Sequence, residues 1–232
     1  VAGVDGCKAG WLGIWKDTGS GKFGHKVFNN AHDLIHQNPR PSVIAIDIPI
    51  GLTDTGKRDC DCQARKLLGQ PRGTSVFPAP IRPALAAKSR EEANRITSAA
   101  DGRGVGAQSW GIVPKVVEVD SVLVEQPDLQ NIVHEVHPEL SFWAWNGHSP
   151  IIIPKRNEQG MLQRRKLVDS FFGGVAFESV RKSYDVMDVA DDDINDAFAA
   201  LWTAERIVRG EAQRIPASPG IDSCGLRIEM WY

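Results

Sequence analysis

The sequence predicts an α/β protein with one mixed sheet, in which three antiparallel strands are followed by two parallel strands and helices flank the sheet. Glycine-rich turns separate three short apolar runs within the first 28 residues, a pattern typical of antiparallel hairpins. Two continuous apolar runs follow at 42–51 and 131–136, as expected of buried parallel strands. Helical periodicity and capping residues occupy much of the remaining chain.

The elements follow in a definite order along the chain. The antiparallel strands are "VAGVD" (1–5), "WLGIW" (11–15) and "FGHKVF" (23–28). A short helix with Asn30 as its N-cap precedes the fourth strand, which Pro49 and Gly51 end just after Asp47. After the fifth strand we predict helices around 138–146, 158–172 and 191–209, and a last strand at 225–231.

The segment between the fourth and fifth strands is polar and rich in Gly, Pro and Arg. We predict that residues 52–128 form a large insertion or lid within a single domain spanning 1–232. One helix is expected there, at 89–100, because Ser89 and Glu92 have the spacing of a capping box.

Composition limits the function classes. The 232 residues carry 27 Lys and Arg against 29 Asp and Glu, a net charge of -2, so nucleic-acid binding would need a local basic patch. No apolar stretch approaches the roughly 20 residues that span a bilayer, and no signal segment opens the chain. The four cysteines lack C-x-x-C spacing, so we expect reduced thiols and a cytoplasmic protein without membrane partners.

Acidic residues lie at the ends of three predicted strands. Asp5 closes the first strand, Asp47 the fourth and Glu135 the fifth. If these strands are parallel to one another, the three carboxylates meet at the carboxyl edge of the sheet, where ligands bind in open α/β folds.

The late helix begins with "DDDIND" and adds more carboxylates. At about 100° per residue, Asp193 and Asp196 lie about 60° apart, beside a row of alanines that would let the helix approach the sheet closely. Asp191 is predicted as the N-cap and Asp192 as a solvated acid of the first turn. Four or five converging carboxylates repel one another, so we expect a divalent cation, and oxygen ligands favour Mg²⁺ or Mn²⁺.

Several motifs carry a resemblance to known families. The order of strands and "DDINDAFAALWTA" resemble the ribonuclease H-like fold and the closing helix of Holliday-junction resolvases. Over nearly its full length the chain resembles the predicted ribonuclease H-like nucleases of domain of unknown function 429. The stretches that match are "GVDGCKAGW" (3–11), "AIDIPIGL" (45–52), "RDCDCQARKLLG" (58–69), "SVFPAP" (75–80), "EVHPELSF" (135–142) and "DDINDAFAALWTAERIVRG" (192–210).

The resemblance implies a metal-dependent nuclease that hydrolyses phosphodiester bonds with two divalent ions. Asp5 would bridge both ions, either Asp47 or Glu135 would be the neighbouring ligand, and Asp193 with Asp196 would complete the set.

A nucleic acid or nucleotide-like substrate would need further groups near these acids. His137 would orient water or protonate a leaving group, or it would cap the helix that begins at Pro138. Groups suited to binding phosphate are Lys8, Arg58, Arg65, Arg72, Ser75 and Lys155.

Two other function classes remain open from the sequence. "DGCKAGW" (5–11) also resembles the phosphate-binding turn of sugar kinases and actin-like ATPases, although 232 residues leave no second copy of the fold. A non-catalytic binding protein that retains the acidic cleft is the third hypothesis.

Overall fold

A five-stranded mixed sheet forms the centre of the computed structural model, which describes residues 1–232. Its strands are β1 (Ala2–Cys7), β2 (Gly10–Lys16), β3 (Phe23–Phe28), β4 (Ile44–Ile46) and β5 (Val133–Glu135). Their order in the sheet is β3-β2-β1-β4-β5. β1, β2 and β3 pair antiparallel, whereas β4 lies parallel to β1 and β5 parallel to β4. The predicted α/β mixed sheet is therefore confirmed.

Nine helices and a second small sheet complete the chain. The helices are α1 (Ala31–Ile35), α2 (Asp59–Leu68), α3 (Arg90–Asp101), α4 (Ala107–Gly111), α5 (Val113–Glu125), α6 (Pro138–Trp145), α7 (Glu158–Phe172), α8 (Gly174–Ser183) and α9 (Asp191–Arg209). Asn30 and Ser89 accept backbone N–H bonds at the starts of α1 and α3, as their sequence positions predict. None of these helices combines the length and apolar character needed to cross a membrane.

One face of the central sheet packs on α1 and α5. Val116, Val119 and Leu123 of α5 share a buried core with Ile44 and Ile46 of β4. Residues 52–128 contain α2, α3, α4 and α5 rather than the one predicted helix, and α5 belongs to the main core. Valines spaced three residues apart carry the signal for α5, but the surrounding Gly- and Pro-rich sequence obscures it.

The other face of the sheet is covered by α9. A Cβ atom on Gly3 would lie 2.0 Å from the backbone nitrogen of Leu201 and 2.2 Å from the carbonyl oxygen of Ala197. Only glycine fits where the helix crosses β1 at this distance. Ala200 and Ala204 are fully buried on the same side. The small residues thus place the beginning of α9 directly over the carboxyl end of β1.

The C-terminal residues form a separate two-stranded sheet of β6 (Arg214–Ile221) and β7 (Arg227–Trp231). The strand predicted at 225–231 is therefore present, whereas β6 was not predicted. A parallel bridge between Val136 and Trp231 joins this hairpin to the end of β5. Its inner side packs with Cys60 and Leu68 of α2.

Candidate functional site

Two acids predicted at strand ends lie side by side on the face covered by α9. Asp5 is two residues after Gly3 on β1, so both point to the same face of the sheet. Asp47 directly follows β4, and its N–H donates to the carbonyl of Val4 at 3.0 Å, which extends the parallel pairing by one residue. Asp47 is two residues after Ala45, which packs on the α9 side, so the Asp47 side chain points to that side as well.

The helix α9 adds Asp196 to this pair. The residue is 2% exposed and directly precedes Ala197, the residue in contact with Gly3. Its Oδ2 accepts a hydrogen bond from Lys155 Nζ at 2.5 Å, whereas its Oδ1 is buried without any partner. We call Asp5, Asp47 and Asp196 the acidic cluster.

The three carboxylates of the acidic cluster disturb one another electrostatically. Burial raises the pKa of Asp5 well above its usual range, and the charges of Asp47 and Asp196 raise it further. Burial also raises the pKa of Asp47, against the opposing charges of His137 and Lys155. For Asp196, burial outweighs the Lys155 ammonium and raises the pKa to about 7. The cluster therefore retains protons more readily than free carboxyls do, and a side-chain hydrogen bond joins Asp5 to Asp47.

The beginning of α9 differs from the prediction. Ala190 is the cap residue, and Asp193 Oδ2 accepts the Ala190 N–H at 2.8 Å, as the acid of a capping box does. Asp191 lies in the first turn and pairs with Arg181 at 3.0 Å, so the assignment of Asp191 as N-cap is wrong. Asp193 remains near enough to Asp5 for its charge to raise the pKa of that carboxyl.

Glu135 lies on the opposite face of the sheet from the acidic cluster. It is in register with Ile46, one position short of Asp47, and the next residue, Val136, is the one that packs on the α9 side. The Glu135 carboxylate is bound by Arg58, through Nη1 and Nη2, both at 2.7 Å. The structure therefore brings Asp5 and Asp47 together but does not bring Glu135 to them.

Arg58, Asp61 and Glu135 form a buried ion-pair group that we call the Arg58 clamp. Arg58 Nη2 also contacts Asp61 Oδ1 at 2.5 Å, and the backbone N–H of Ile50 donates to Glu135 at 2.7 Å. The clamp thus ties α2 and β5 to the loop after β4.

Two residues of the Arg58 clamp, Asp61 and Glu135, form with Cys60 the chain's one set of three ligand atoms that all lie within 4.8 Å of one another. Arg58 already supplies the cation for this set, and burial raises the pKa of the Cys60 thiol, which opposes the thiolate that a metal would need. The acidic cluster does not form such a set, although a side-chain hydrogen bond joins Asp5 to Asp47.

His137 lies beside Asp47 and also caps a helix. Its Nδ1 accepts the backbone N–H of Glu139 at 3.2 Å at the start of α6, and its Nε2 faces the carbonyl of Ser75 at 3.4 Å. Because Nδ1 is an acceptor in this arrangement, the neutral ring carries its proton on Nε2. His137 thus caps α6, which is one of the two roles considered from the sequence, and it also lies near Asp47.

The predicted phosphate-binding groups are scattered. Arg58 is in the clamp, and the Nε of Arg65 donates to the carbonyl of Val76 at 2.7 Å. Arg72 is buried against Glu139 at 2.9 Å. Lys8 is exposed in the turn between β1 and β2. Among these basic candidates, Lys155 is the one that contacts the acidic cluster.

A family model matches residues 3–220, a range that includes the whole acidic cluster. The chain belongs to the family described as protein of unknown function (DUF429). The family assignment made from the sequence is thereby confirmed. No match to the chain is found among the curated proteins or the solved structures.

In this DUF429 chain, two groups near the acidic cluster were not predicted. Glu139 is buried between Arg72 and Arg164, and its charge raises the pKa of both Asp47 and Asp196. It occurs in "HPEL", one of the matched stretches, where only His137 was considered.

The second missed group is Lys115 of α5. Its Nζ lies 4.5 Å from the centre of the Trp11 ring, and its charge opposes the rise in pKa that burial causes at Asp193. No signal for it was available, because α5 itself was not predicted.

The raised pKa values predict that the chelator-treated protein loses stability as the pH rises. A carboxyl whose pKa is higher in the folded chain contributes stability below its unfolded value, and this is lost as the pH rises through the folded value. For Asp196 the window runs from 3.8 to about 7, and Asp5 and Asp47 shift in the same direction. We expect urea melts to show a free energy of unfolding that falls across this window.

Urea melts of two variants test whether Asp196 causes this fall in the free energy of unfolding. Asp196→Asn should flatten the pH dependence, whereas replacement of the exposed Asp128 by Asn should leave it at the wild-type slope. An unchanged slope in Asp196→Asn would contradict the role given to burial of this carboxyl. Glu135, whose pKa burial also raises to about 7, accounts for part of the residual slope.

Proposed function

We propose that this protein is a metal-dependent phosphodiesterase, a nuclease of the ribonuclease H-like superfamily acting on a nucleic acid or a nucleotide-like substrate. One observation carries the proposal: α9 brings Asp196 to Asp5 and Asp47, which lie on and just after the adjacent parallel strands β1 and β4, and one buried oxygen of Asp196 has no partner. A buried polar oxygen without a partner is costly unless a ligand or a proton compensates it.

The fold supports the same proposal. Three antiparallel strands, two parallel strands and a late helix that carries Asp193 and Asp196 are the arrangement on which the ribonuclease H-like resemblance rests. Asp5 and Asp47 occupy neighbouring strands of this sheet, on the face that the helix covers.

The donor set suits a hard divalent cation. Carboxylate oxygens alone favour Mg²⁺ or Mn²⁺ over the softer metals that prefer thiolate or imidazole. When bound, such a cation supplies an activated water and stabilises the charge of the leaving oxygen. The acidic cluster would hold it, with Asp193 beside it.

His137 is suited to a role in proton transfer. Its ring is close enough to oppose the rise in pKa that burial causes at Asp47, its Nε2 faces the carbonyl of Ser75, and the cap bond to α6 fixes its orientation. In this position the side chain would donate a proton to a leaving oxygen on the Asp47 side of the cluster.

A cleavage screen tests the function. The purified chain would be incubated with Mn²⁺ or Mg²⁺ and with junction DNA, an RNA–DNA hybrid, single strands and dinucleotides. We expect metal-dependent hydrolysis of at least one substrate, abolished by a chelator. Absence of hydrolysis across the panel by folded protein, together with no thermal stabilisation by Mn²⁺, would refute the proposal.

A further inference from the structure

Lys155, in the loop before α7, places its ammonium group at the acidic cluster. Its Nζ lies 2.5 Å from Asp196 Oδ2 and 3.4 Å from Asp192 Oδ2. No other lysine or arginine forms an ion pair with Asp5, Asp47 or Asp196. The charge of Lys155 also opposes the rise in pKa that burial causes at both Asp5 and Asp47, so the ammonium acts on the whole cluster.

The loop that carries Lys155 is anchored on both sides. Asn157 caps α7 by accepting the N–H of Gln159 at 2.9 Å, and its own N–H donates to Pro154 at 3.0 Å. The guanidinium of Arg164, itself fully buried, donates to the carbonyl of Ile153 at 3.1 Å. These contacts hold the backbone around Lys155 in place, which distinguishes it from a free surface lysine.

Several carboxylate oxygens of this region already have hydrogen-bond partners, which limits the oxygens that could bind a metal ion. Lys155 takes Asp196 Oδ2, and the N–H of Ala190 takes Asp193 Oδ2. Glu135 is held by Arg58 on the opposite face. Asp5 and Asp47 hydrogen-bond to each other, and Oδ1 of Asp196 has no partner. Three carboxylates with added water suffice for one octahedral Mg²⁺ or Mn²⁺.

We propose that the site binds a single divalent cation and that Lys155 takes the place of a second one. The inference rests on the proposed function and specifies its metal requirement. The one ion would draw Asp5, Asp47 and Asp196 Oδ1 together and replace the proton that Asp5 and Asp47 share, while the ammonium balances Asp196 Oδ2 and Asp192. A second divalent ion would have to displace a lysine that is paired with a buried acid, and it would lie against a like charge.

Metal stoichiometry tests this proposal without any activity measurement. The full chain is stripped with a chelator and titrated with Mn²⁺, and the free ion is followed by electron paramagnetic resonance. We expect one Mn²⁺ per wild-type chain and two per Lys155→Met chain. Arg156→Met, a neighbouring exposed cation changed to the same residue, is the matched control and should bind one. Lys155→Arg should also bind one, because it keeps the charge.

Each outcome has a definite meaning. Two ions in the wild type, or one in Lys155→Met, would overturn the inference while leaving the proposed nuclease intact. No Mn²⁺ binding by any folded chain would overturn both. Circular dichroism in chelator confirms that each variant is folded, and Lys155→Gln, which retains a hydrogen-bond donor, replaces the methionine variant if that one unfolds.

Discussion

Replacement of Asp5 by Asn is expected to lower manganese-dependent cleavage by on the order of 100-fold or more. Loss of a residue that merely supports a metal ligand typically costs about 10- to 100-fold in affinity or activity, so loss of a ligand should cost at least as much. Asp196→Asn should have the same effect, because its Oδ1 is the unpartnered oxygen of the acidic cluster. Both kcat and the thermal shift produced by Mn²⁺ should fall together.

Stability in chelator separates this effect from misfolding. Asp5 is buried beside two like charges that raise its pKa, so its ionised form destabilises the metal-free protein. Asp5→Asn should therefore unfold at the same temperature as the wild type or higher near neutral pH, although it loses activity. Asp128→Asn, at an exposed site, should change neither property. Undiminished cleavage and an undiminished Mn²⁺ shift in both Asp5→Asn and Asp196→Asn would rule out the assigned site.

The carboxyl edge of the sheet could be predicted from the sequence, but the face could not. Apolar runs and turn residues locate the strand ends, so Asp5, Asp47 and Glu135 were each placed near an end. Whether a side chain points up or down depends on the register between strands, and a shift of one residue reverses it. β5 pairs with β4 so that Glu135 lies opposite Ile46, one residue before Asp47. This register places the Glu135 side chain on the other face of the sheet from Asp47.

The acidic partners of the buried arginines could not be predicted from the sequence either. Arg58 and Arg72 have the right chemistry for phosphate, and nothing local distinguishes a solvent-facing arginine from one buried against an acid far along the chain. Arg58 meets Glu135 across 77 positions of sequence, which only the tertiary fold can show. The alanine row of α9 was more informative, because small residues on one helix face directly predict close packing.

Replacement of Arg58 by Met should destabilise the protein by about 3–5 kcal/mol, because it leaves two buried carboxylates without their cation. The Arg58 side chain is 2% exposed and contacts Asp61 and Glu135 at 2.5 and 2.7 Å. Urea melts near neutral pH give the change in the free energy of unfolding. Arg65→Met, in the helix α2 that follows Arg58, is the control, since Arg65 is only partly buried and donates to a backbone carbonyl. It should cost about 1 kcal/mol, the usual value of one hydrogen bond.

Glu135→Gln tests the same clamp from its acidic side and separates it from the metal site. The clamp holds one arginine against two carboxylates, and burial raises the pKa of Glu135 to about 7, so a neutral side chain is tolerated there at neutral pH. We expect a smaller loss of stability than in Arg58→Met and a wild-type thermal shift with Mn²⁺. A thermal shift lost in Glu135→Gln but kept in Asp47→Asn would make Glu135 the ligand instead. Because the two residues lie on opposite faces of the sheet, both cannot contact the same ion, and the pair of variants decides between them.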